Sequence, residues 1–171
     1  AIIEKNEQIG TIAFHNYNKD TDFIEGRMKV GKALQTRVIR ETLNYAGEFD
    51  IVLIDSPPGT SCPVIAAMVP ADYVIMVTEP TPFGLHDLKL MHDTVKYLEK
   101  KHGIIINKAG LKYDPLYSFI QQENILLLGE IPFKKEYARI YSRGMLLTEH
   151  DEKLKKDFSV IIKKILNGEI F

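Results

Sequence analysis

Four short apolar runs, each followed by polar or turn-forming residues, constrain the fold of this 171-residue chain more than any other feature. They consist almost wholly of Val, Ile, Leu and Met without period-two alternation, and they read DIVLID, YVIMVT, GIIIN and NILLLGEI. Strands of this kind are buried on both faces, as in a parallel sheet that helices cover. Helical stretches alternate with them, around 61–69, 84–101, 114–122 and 134–142. The sequence therefore predicts a doubly wound α/β fold with a mainly parallel sheet and helices on both faces.

The segment before these runs predicts an N-terminal β-hairpin. AIIEK and IGTIAFH have the composition of two short strands joined by NEQ, and NYNKDTD is typical of a polar loop. A moderately apolar helical face follows from Ala33 to about Ala46. We interpret residues 1–171 as a single α/β domain that begins with a hairpin and loop over 1–24.

Composition excludes several classes of function. Hydrophobic residues make up 45% of the chain and charged residues 26%, as in an ordinary globular protein. The formal net charge of −1 gives no electrostatic reason to expect nucleic acid or an anionic membrane as the main partner. The single cysteine, Cys62, excludes an internal disulfide and a metal site built from several thiolates of this chain. The presence of one cysteine favours a reducing, cytoplasmic setting. We expect the Cys62 side chain to pack as a small apolar group. The alternative is that it contributes to a cluster shared between two subunits.

The end of the first apolar run is the strongest candidate for chemistry. In a doubly wound fold, ligands bind beyond the carboxyl ends of the strands, and Asp55 stands at that point in the string DSPPGTS. A carboxylate there can hold Mg²⁺ through water or orient the water that attacks a phosphate. Gly59 allows the backbone to approach a ligand without an intervening side chain. The alternative is an Asp that only opens a turn or caps the next helix.

Four segments carry a family resemblance, and in chain order they read IVLIDSPPGTSCPVI, VTEPTPFGLHDL, IINKAG and LGEIPF. Together they resemble the MinD/ParA/Mrp class of P-loop ATPases. FIEGRMKVGKALQTRVIR and YSRGMLL resemble the MinD-like branch that contains an inserted ferredoxin domain. The resemblance implies ATP and Mg²⁺ as ligands and a homodimer formed over the nucleotide. It also implies a link to iron–sulfur cluster carriage or electron transfer, with iron–sulfur or redox proteins as partners.

The resemblance also implies roles for individual residues. Asp55 matches the acidic position that serves Mg²⁺ and the attacking water, and Gly59 and Thr60 fall in the loop that senses the γ-phosphate. Asn107 matches the asparagine that reads the adenine edge, since an amide both donates and accepts hydrogen bonds. The loop that packs beside the adenine ring is matched by Pro132 and Phe133. For Asn107 the alternative is an ordinary turn residue at a strand end.

The stretch GRMKVGKA, Gly26 to Ala33, approximates the phosphate-binding motif G-x-x-x-x-G-K-[ST]. Ala33 lacks the hydroxyl that the motif supplies to Mg²⁺, and only DFIE precedes Gly26, with no buried strand leading into the turn. We therefore interpret this stretch as a loop and not as a phosphate site. By resemblance, the P-loop and the ferredoxin cysteines would precede Ala1, and AIIEK would be the tail of a ferredoxin module. The 171 residues alone are then expected to be inactive as an ATPase.

Two other functions are considered. In a response-regulator receiver domain, Asp55 would accept a phosphoryl group, and Thr78 and Lys108 would be the switch hydroxyl and the phosphate-pairing lysine. A receiver also needs an acidic pair after its first strand, and IGTIAFHNYN contains no carboxylate. The second alternative is a non-catalytic scaffold that pairs with another ATP-binding chain.

Two helical segments receive structural interpretations. His86 and His92 are six residues apart, so they form no ligand pair, and we expect this part of the helix to be a solvated face. Residues 153–171 are amphipathic, with several lysines opposite the apolar positions. MinD proteins bind membranes through such a helix. We expect this one to pack on the sheet instead.

Overall fold

The computed structural model describes residues 7–47 and 49–167. The chain divides into two compact units, Ala1–Ala71 and Asp72–Phe171, and each is described by itself. The first unit contains the hairpin and two helices, and the second contains a parallel sheet with its helices.

In the first unit, strands β1 (Gly10–Asn18) and β2 (Thr21–Met28) form an antiparallel hairpin that precedes helices α1 (Gln35–Asn44) and α2 (Cys62–Met68). The predicted hairpin is present, but its strands lie later in the chain than expected. The stretch NYNKDTD, predicted as a loop, supplies the ends of both strands and the turn, which Asn18 stabilises by accepting a hydrogen bond from the Asp20 N–H at 2.9 Å. The predicted strand AIIEK, residues 1–5, lies outside the described residues.

In the second unit, strands and helices alternate along the chain. The elements are β3 (Tyr73–Thr78), α3 (Pro82–Tyr97), β4 (Lys101–Ala109), α4 (Asp114–Gln122), β5 (Leu127–Pro132), α5 (Lys135–Tyr141), α6 (Leu147–His150) and α7 (Glu152–Leu166). The three strands are parallel, in the order β3-β4-β5. The α/β fold with a parallel sheet, predicted from the apolar runs, is confirmed.

The expectation that every strand is buried on both faces holds only for the central one. On β4, Ile104 and Ile106 are completely buried and Ile105 nearly so. On β3, Met76 is buried, but Val77 is 63% exposed. Met76 and Val77 are consecutive, so their side chains point to opposite faces of the sheet, and at this point β3 is buried on one face only.

The prediction of a strand at DIVLID is wrong for the described structure. Residues 51–57 form neither helix nor strand, and Leu53 is 79% exposed. A strand is stable when its backbone groups pair with a neighbouring strand. Within 7–47 and 49–167 this segment has no such neighbour, so its apolar composition alone does not make it a strand.

The last helix packs on the sheet, as expected. Leu154 and Ile161 of α7 are buried, and a Cβ built on Gly129 of β5 would lie 2.9 Å from Ile161 Cδ1. Helix and strand are therefore in direct contact at this glycine. Among the described residues, no helix combines the length and the apolar character that a membrane span requires.

Candidate functional site

Asn107 and Lys108 lie near the carboxyl end of β4. The Asn107 Oδ1 accepts a hydrogen bond from the Lys108 N–H at 3.0 Å, and Asn107 is half-buried. Lys108 has a φ of 52°, in the left-handed region that residues other than glycine seldom adopt. Its Nζ lies 2.7 Å from Glu79 Oε1, so the ends of β3 and β4 are joined by an ion pair. Unusual backbone of this kind is concentrated at functional sites.

Pro132 and Phe133 lie at the same edge of the sheet as Asn107. Pro132 pairs with Ala109 in the parallel register of β4 and β5, and the Phe133 N–H donates to the Ala109 carbonyl at 3.0 Å. The Phe133 side chain is 56% exposed. The structure thus brings together the three residues that the resemblance assigns to the adenine side of a site.

The start of α3 is fixed to the end of β3 by two threonines. The buried Thr78 donates its hydroxyl to the Gly84 carbonyl at 2.9 Å, and the Thr81 hydroxyl accepts from the Gly84 N–H at 3.0 Å, which caps the helix. The contact of Thr78 with Gly84 is not predicted by the sequence, where Thr78 has a role only in the receiver alternative. In the receiver alternative Thr78 and Lys108 would contact a phosphoryl group, whereas here the Thr78 hydroxyl bonds to Gly84 and Lys108 pairs with Glu79. No finding supports that alternative.

Asp55, Gly59 and Thr60 belong to the first unit, so their geometry is described apart from that of Asn107 and Phe133. All three are exposed, and Asp55 lies in the irregular segment 51–57. Gly59 has a φ of 89°, a conformation that a side chain would strain, which explains a glycine in this turn. The segment is therefore an exposed loop with one carboxylate.

The fit of Mg²⁺ can be tested on the donor groups. In the described part of the chain, no group of three or more His, Cys, Asp or Glu residues has a spacing that could hold a metal ion. Mg²⁺ usually takes only one or two carboxylates from a protein and completes its shell with water and phosphate oxygens. The exposed Asp55 can supply one such carboxylate. Mg²⁺ at this loop would require nucleotide phosphates as further ligands.

The stretch Gly26 to Ala33 does not have the form of a phosphate-binding loop. Gly26 belongs to β2, and a Cβ built on it would lie 2.0 Å from Thr42 Oγ1, so this glycine is required by the packing of the hairpin on α1. No buried strand leads into the stretch, as expected, since β2 is an exposed hairpin strand; β2 extends to Met28, however, so the first three residues of the predicted loop are strand. The Lys32 ammonium forms an ion pair with Glu7, and the Lys32 N–H bonds to the Lys29 carbonyl at 3.2 Å.

The expectation that Cys62 packs as a small apolar group is wrong. Cys62 is exposed and not packed in the core, because it is the first residue of α2 and the buried face of that helix begins with Val64.

His92 does not lie on a solvated face, contrary to the prediction: it is only 3% exposed. Its ring is 5.3 Å from that of His102 and 5.8 Å from that of Phe119. Burial, followed by the charges of His102 and Lys96, lowers the pKa of His92.

Comparison with known proteins identifies the family. Residues 3–109 match the family model described as an AAA domain. A MinD homolog from the chloroplast of Arabidopsis thaliana, named as a septum site-determining protein, is 31% identical over 68% of this chain and 38% of its own length. The chain belongs to the MinD/ParA class of P-loop ATPases.

Other relatives match more of the chain. An uncharacterized protein of Methanocaldococcus jannaschii is 29% identical over 86% of this chain and 52% of its own length. An iron–sulfur cluster carrier protein of Methanococcus maripaludis is 24% identical over 91% of this chain and 58% of its own length. The chain spans about half the length of the curated relatives that it matches first.

Solved structures of the MinD/ParA class share the fold. A putative plasmid partition protein of Borrelia burgdorferi bound to AMPPNP has a TM-score of 0.65 at 17% identity, covering 88% of this chain and 68% of its own. The MinD of Pyrococcus horikoshii, complexed with Mg-ADP, has a TM-score of 0.59 at 23% identity, covering 74% of this chain and 54% of its own. At these identities the likeness concerns the fold alone.

Proposed function

We propose that this chain is part of an ATP-binding and ATP-hydrolysing domain, with the adenine end of the nucleotide at the carboxyl ends of β4 and β5. The observation that carries the proposal is the hydrogen bond of 3.0 Å from the Phe133 N–H to the Ala109 carbonyl. It holds an exposed aromatic ring at the strand end next to the one that carries Asn107. The Asn107 amide reads the adenine edge, and Pro132 and Phe133 pack beside the ring.

The loop that contains Asp55 serves the phosphate end in this proposal. Asp55 orients the attacking water and holds Mg²⁺ through water, while Gly59 and Thr60 contact the γ-phosphate. Mg²⁺ supplies charge neutralisation on the phosphates when it is bound. The exposure of Asp55 and the positive φ of Gly59 support these roles, because both leave the loop accessible to a ligand.

The phosphate cradle is proposed to come from residues outside this 171-residue sequence. P-loop proteins hold phosphates mainly through backbone N–H groups at a helix N-terminus and one lysine. Gly26 and Lys32 are engaged in hairpin packing and an ion pair instead. By this proposal the isolated chain binds ATP weakly and does not hydrolyse it.

The cellular role is proposed to be iron–sulfur cluster carriage or electron transfer, by a homodimer formed over the nucleotide. The similarity to a protein named as an iron–sulfur cluster carrier supports the first of these. Cys62 is the only cysteine in the sequence, so any cluster would take most of its ligands from outside these residues.

The test is nucleotide binding by Asn107 variants of the protein as its gene encodes it. Asn107→Ala removes both partners of the adenine edge and should weaken ATP by about 1–3 kcal/mol. Asn107→Asp is the matched variant, because a carboxylate only accepts hydrogen bonds and should favour guanine over adenine. Titration with ATP and GTP measures both effects. Unchanged affinity and base preference in both variants would show that Asn107 is a turn residue, and the proposed adenine site would be wrong.

A further inference from the structure

Lys134, Tyr137 and Asp151 form a hydrogen-bonded group next to the proposed adenine side, here called the Asp151 cluster. Lys134 Nζ donates to Asp151 Oδ2 at 2.9 Å, and the Tyr137 hydroxyl donates to the same oxygen at 2.6 Å. The ammonium also lies 4.8 Å from the centroid of the Tyr137 ring. The Asp151 side chain is only 18% exposed and Tyr137 is half-buried, whereas the Lys134 side chain is 44% exposed.

The second oxygen of Asp151 connects the cluster to the last helix. Oδ1 accepts a hydrogen bond from the Leu154 N–H at 3.0 Å and caps α7. That helix is fixed on β5, since Leu154 and Ile161 are buried and Ile161 contacts the position of Gly129. The Asp151 cluster therefore ties the residue that follows Phe133 to a helix that the sheet holds in place.

Phe133 is consequently restrained on both sides. Its own N–H bonds to the Ala109 carbonyl on β4, and the next residue, Lys134, is held by the Asp151 cluster. Between these two restraints the ring of Phe133 is 56% exposed. Because the main chain is held on both sides of Phe133, the point from which its side chain extends is fixed, and less conformational freedom is lost when a flat ligand stacks on the ring.

We propose that the Asp151 cluster positions Phe133 for stacking on the nucleotide base. This inference rests on the proposed function, and it assigns Lys134 and Asp151 as positioning residues that do not touch the nucleotide. Lys134 stands at the N-cap of α5, where its ammonium cannot cap the helix because it only donates hydrogen bonds, and its side chain reaches Asp151.

The charges of the cluster persist at physiological pH. Hydrogen bonds from Tyr137, Leu154 and Lys134 hold the pKa of Asp151 well below its ordinary value. Contacts with Tyr137 and Asp151 raise the pKa of Lys134. The pair is therefore ionised in the pH range where nucleotide binding is measured.

The experiment compares Lys134→Met and Asp151→Asn in the protein as its gene encodes it. Asn retains the cap of α7 but removes the charge that holds Lys134, so the helix remains while the restraint on Phe133 is lost. Lys135→Met is the control, since Lys135 is exposed and outside the cluster. Affinities are measured for ATP, GTP and inorganic tripolyphosphate, which has the phosphates of a nucleotide but no base.

We expect both variants to weaken ATP roughly threefold to tenfold, the size of one lost hydrogen bond, and to leave tripolyphosphate unchanged. Lys135→Met should match the wild type with every ligand. If the wild type binds ATP and both variants bind it equally well, the positioning role is overturned while the proposed function stands. An equal loss for ATP and tripolyphosphate would also overturn it, since the effect would not concern the base. If the wild type binds no nucleotide, the proposed function fails and the inference with it.

Discussion

The main chain at Gly84 lies so close to Glu79 that a Cβ built on the glycine would be 2.2 Å from the Glu79 carbonyl oxygen. The same Cβ would lie 3.0 Å from Thr78 Oγ1. Since the nearest atom belongs to the backbone, it cannot move aside as a flexible side chain would. The start of α3 is thus packed directly on the end of β3.

Gly84→Ala should therefore destabilise the protein. Forcing a methyl group into this contact should lower the free energy of unfolding by about 1–3 kcal/mol or more, because strand and helix must separate. Urea denaturation followed by circular dichroism measures the change. Asp87→Ala, at an exposed position of the same helix, is the control and should have little effect. Equal stability of Gly84→Ala and the wild type would show that the contact is loose.

His92 should make the stability depend on pH in mildly acidic solution. Its pKa is lowered in the folded state by burial, by His102 and by Lys96, against the opposing charges of Glu123 and Asp93. Between the folded pKa and about 6.5, the unfolded chain binds a proton that the folded protein does not. Stability should therefore fall as the pH falls through this window, by at most about 1.4 kcal/mol per pH unit for one group.

The measurement is the free energy of unfolding between about pH 7.5 and about pH 5 for wild type, His92→Leu and His86→Leu. Removing the buried imidazole should flatten the acid side of the profile. His86 is exposed on the same helix, so its replacement should leave the slope unchanged. A slope that His92→Leu does not alter would assign the pH dependence to other groups.

Asp55→Asn should separate binding from hydrolysis in the protein as its gene encodes it. The amide has nearly the size of the carboxylate but cannot take a proton or attract the attacking water as strongly. We expect ATP binding to persist and hydrolysis to fall by about two orders of magnitude or more, as when one positioned catalytic group is removed. Phosphate release at saturating ATP measures this. Turnover at the wild-type rate would remove Asp55 from the mechanism.

Lys32→Ala should leave nucleotide affinity unchanged, because Lys32 pairs with Glu7 and its stretch lacks the backbone of a phosphate cradle. Calorimetry with Mg-ATP on the 171-residue chain makes the comparison. Glu7→Gln removes the same ion pair from the other side and is the control for any effect on stability. Micromolar binding by the wild type that only Lys32→Ala abolishes would restore Gly26 to Lys32 as the phosphate site.

The alternation of strands and helices after Asp72 could be predicted because each element has a clear local signature. The run GIIIN forms the buried core of β4, and the helix predicted around 114–122 is α4. Parallel strands end at the same edge of a sheet, and this rule predicts that Asn107, Pro132 and Phe133 lie at one edge.

The remaining features depend on neighbours that a local pattern does not contain. DIVLID has the composition of a strand, but pairing decides whether it becomes one. His92 was misjudged because its burial comes from Phe119 and His102, which lie on other elements. The Asp151 cluster joins residues 17 positions apart, and no spacing rule indicates that contact.

The outer position of β3 has a consequence for handling the protein. Its sequence YVIMVT has no charge and no proline, Ile75 and Val77 are exposed, and among the strands of the described residues it pairs with β4 alone. An uncharged apolar edge of this kind is a template for strand addition between molecules. We therefore expect self-association of the isolated chain to increase with its concentration, so binding to it should be measured at several concentrations.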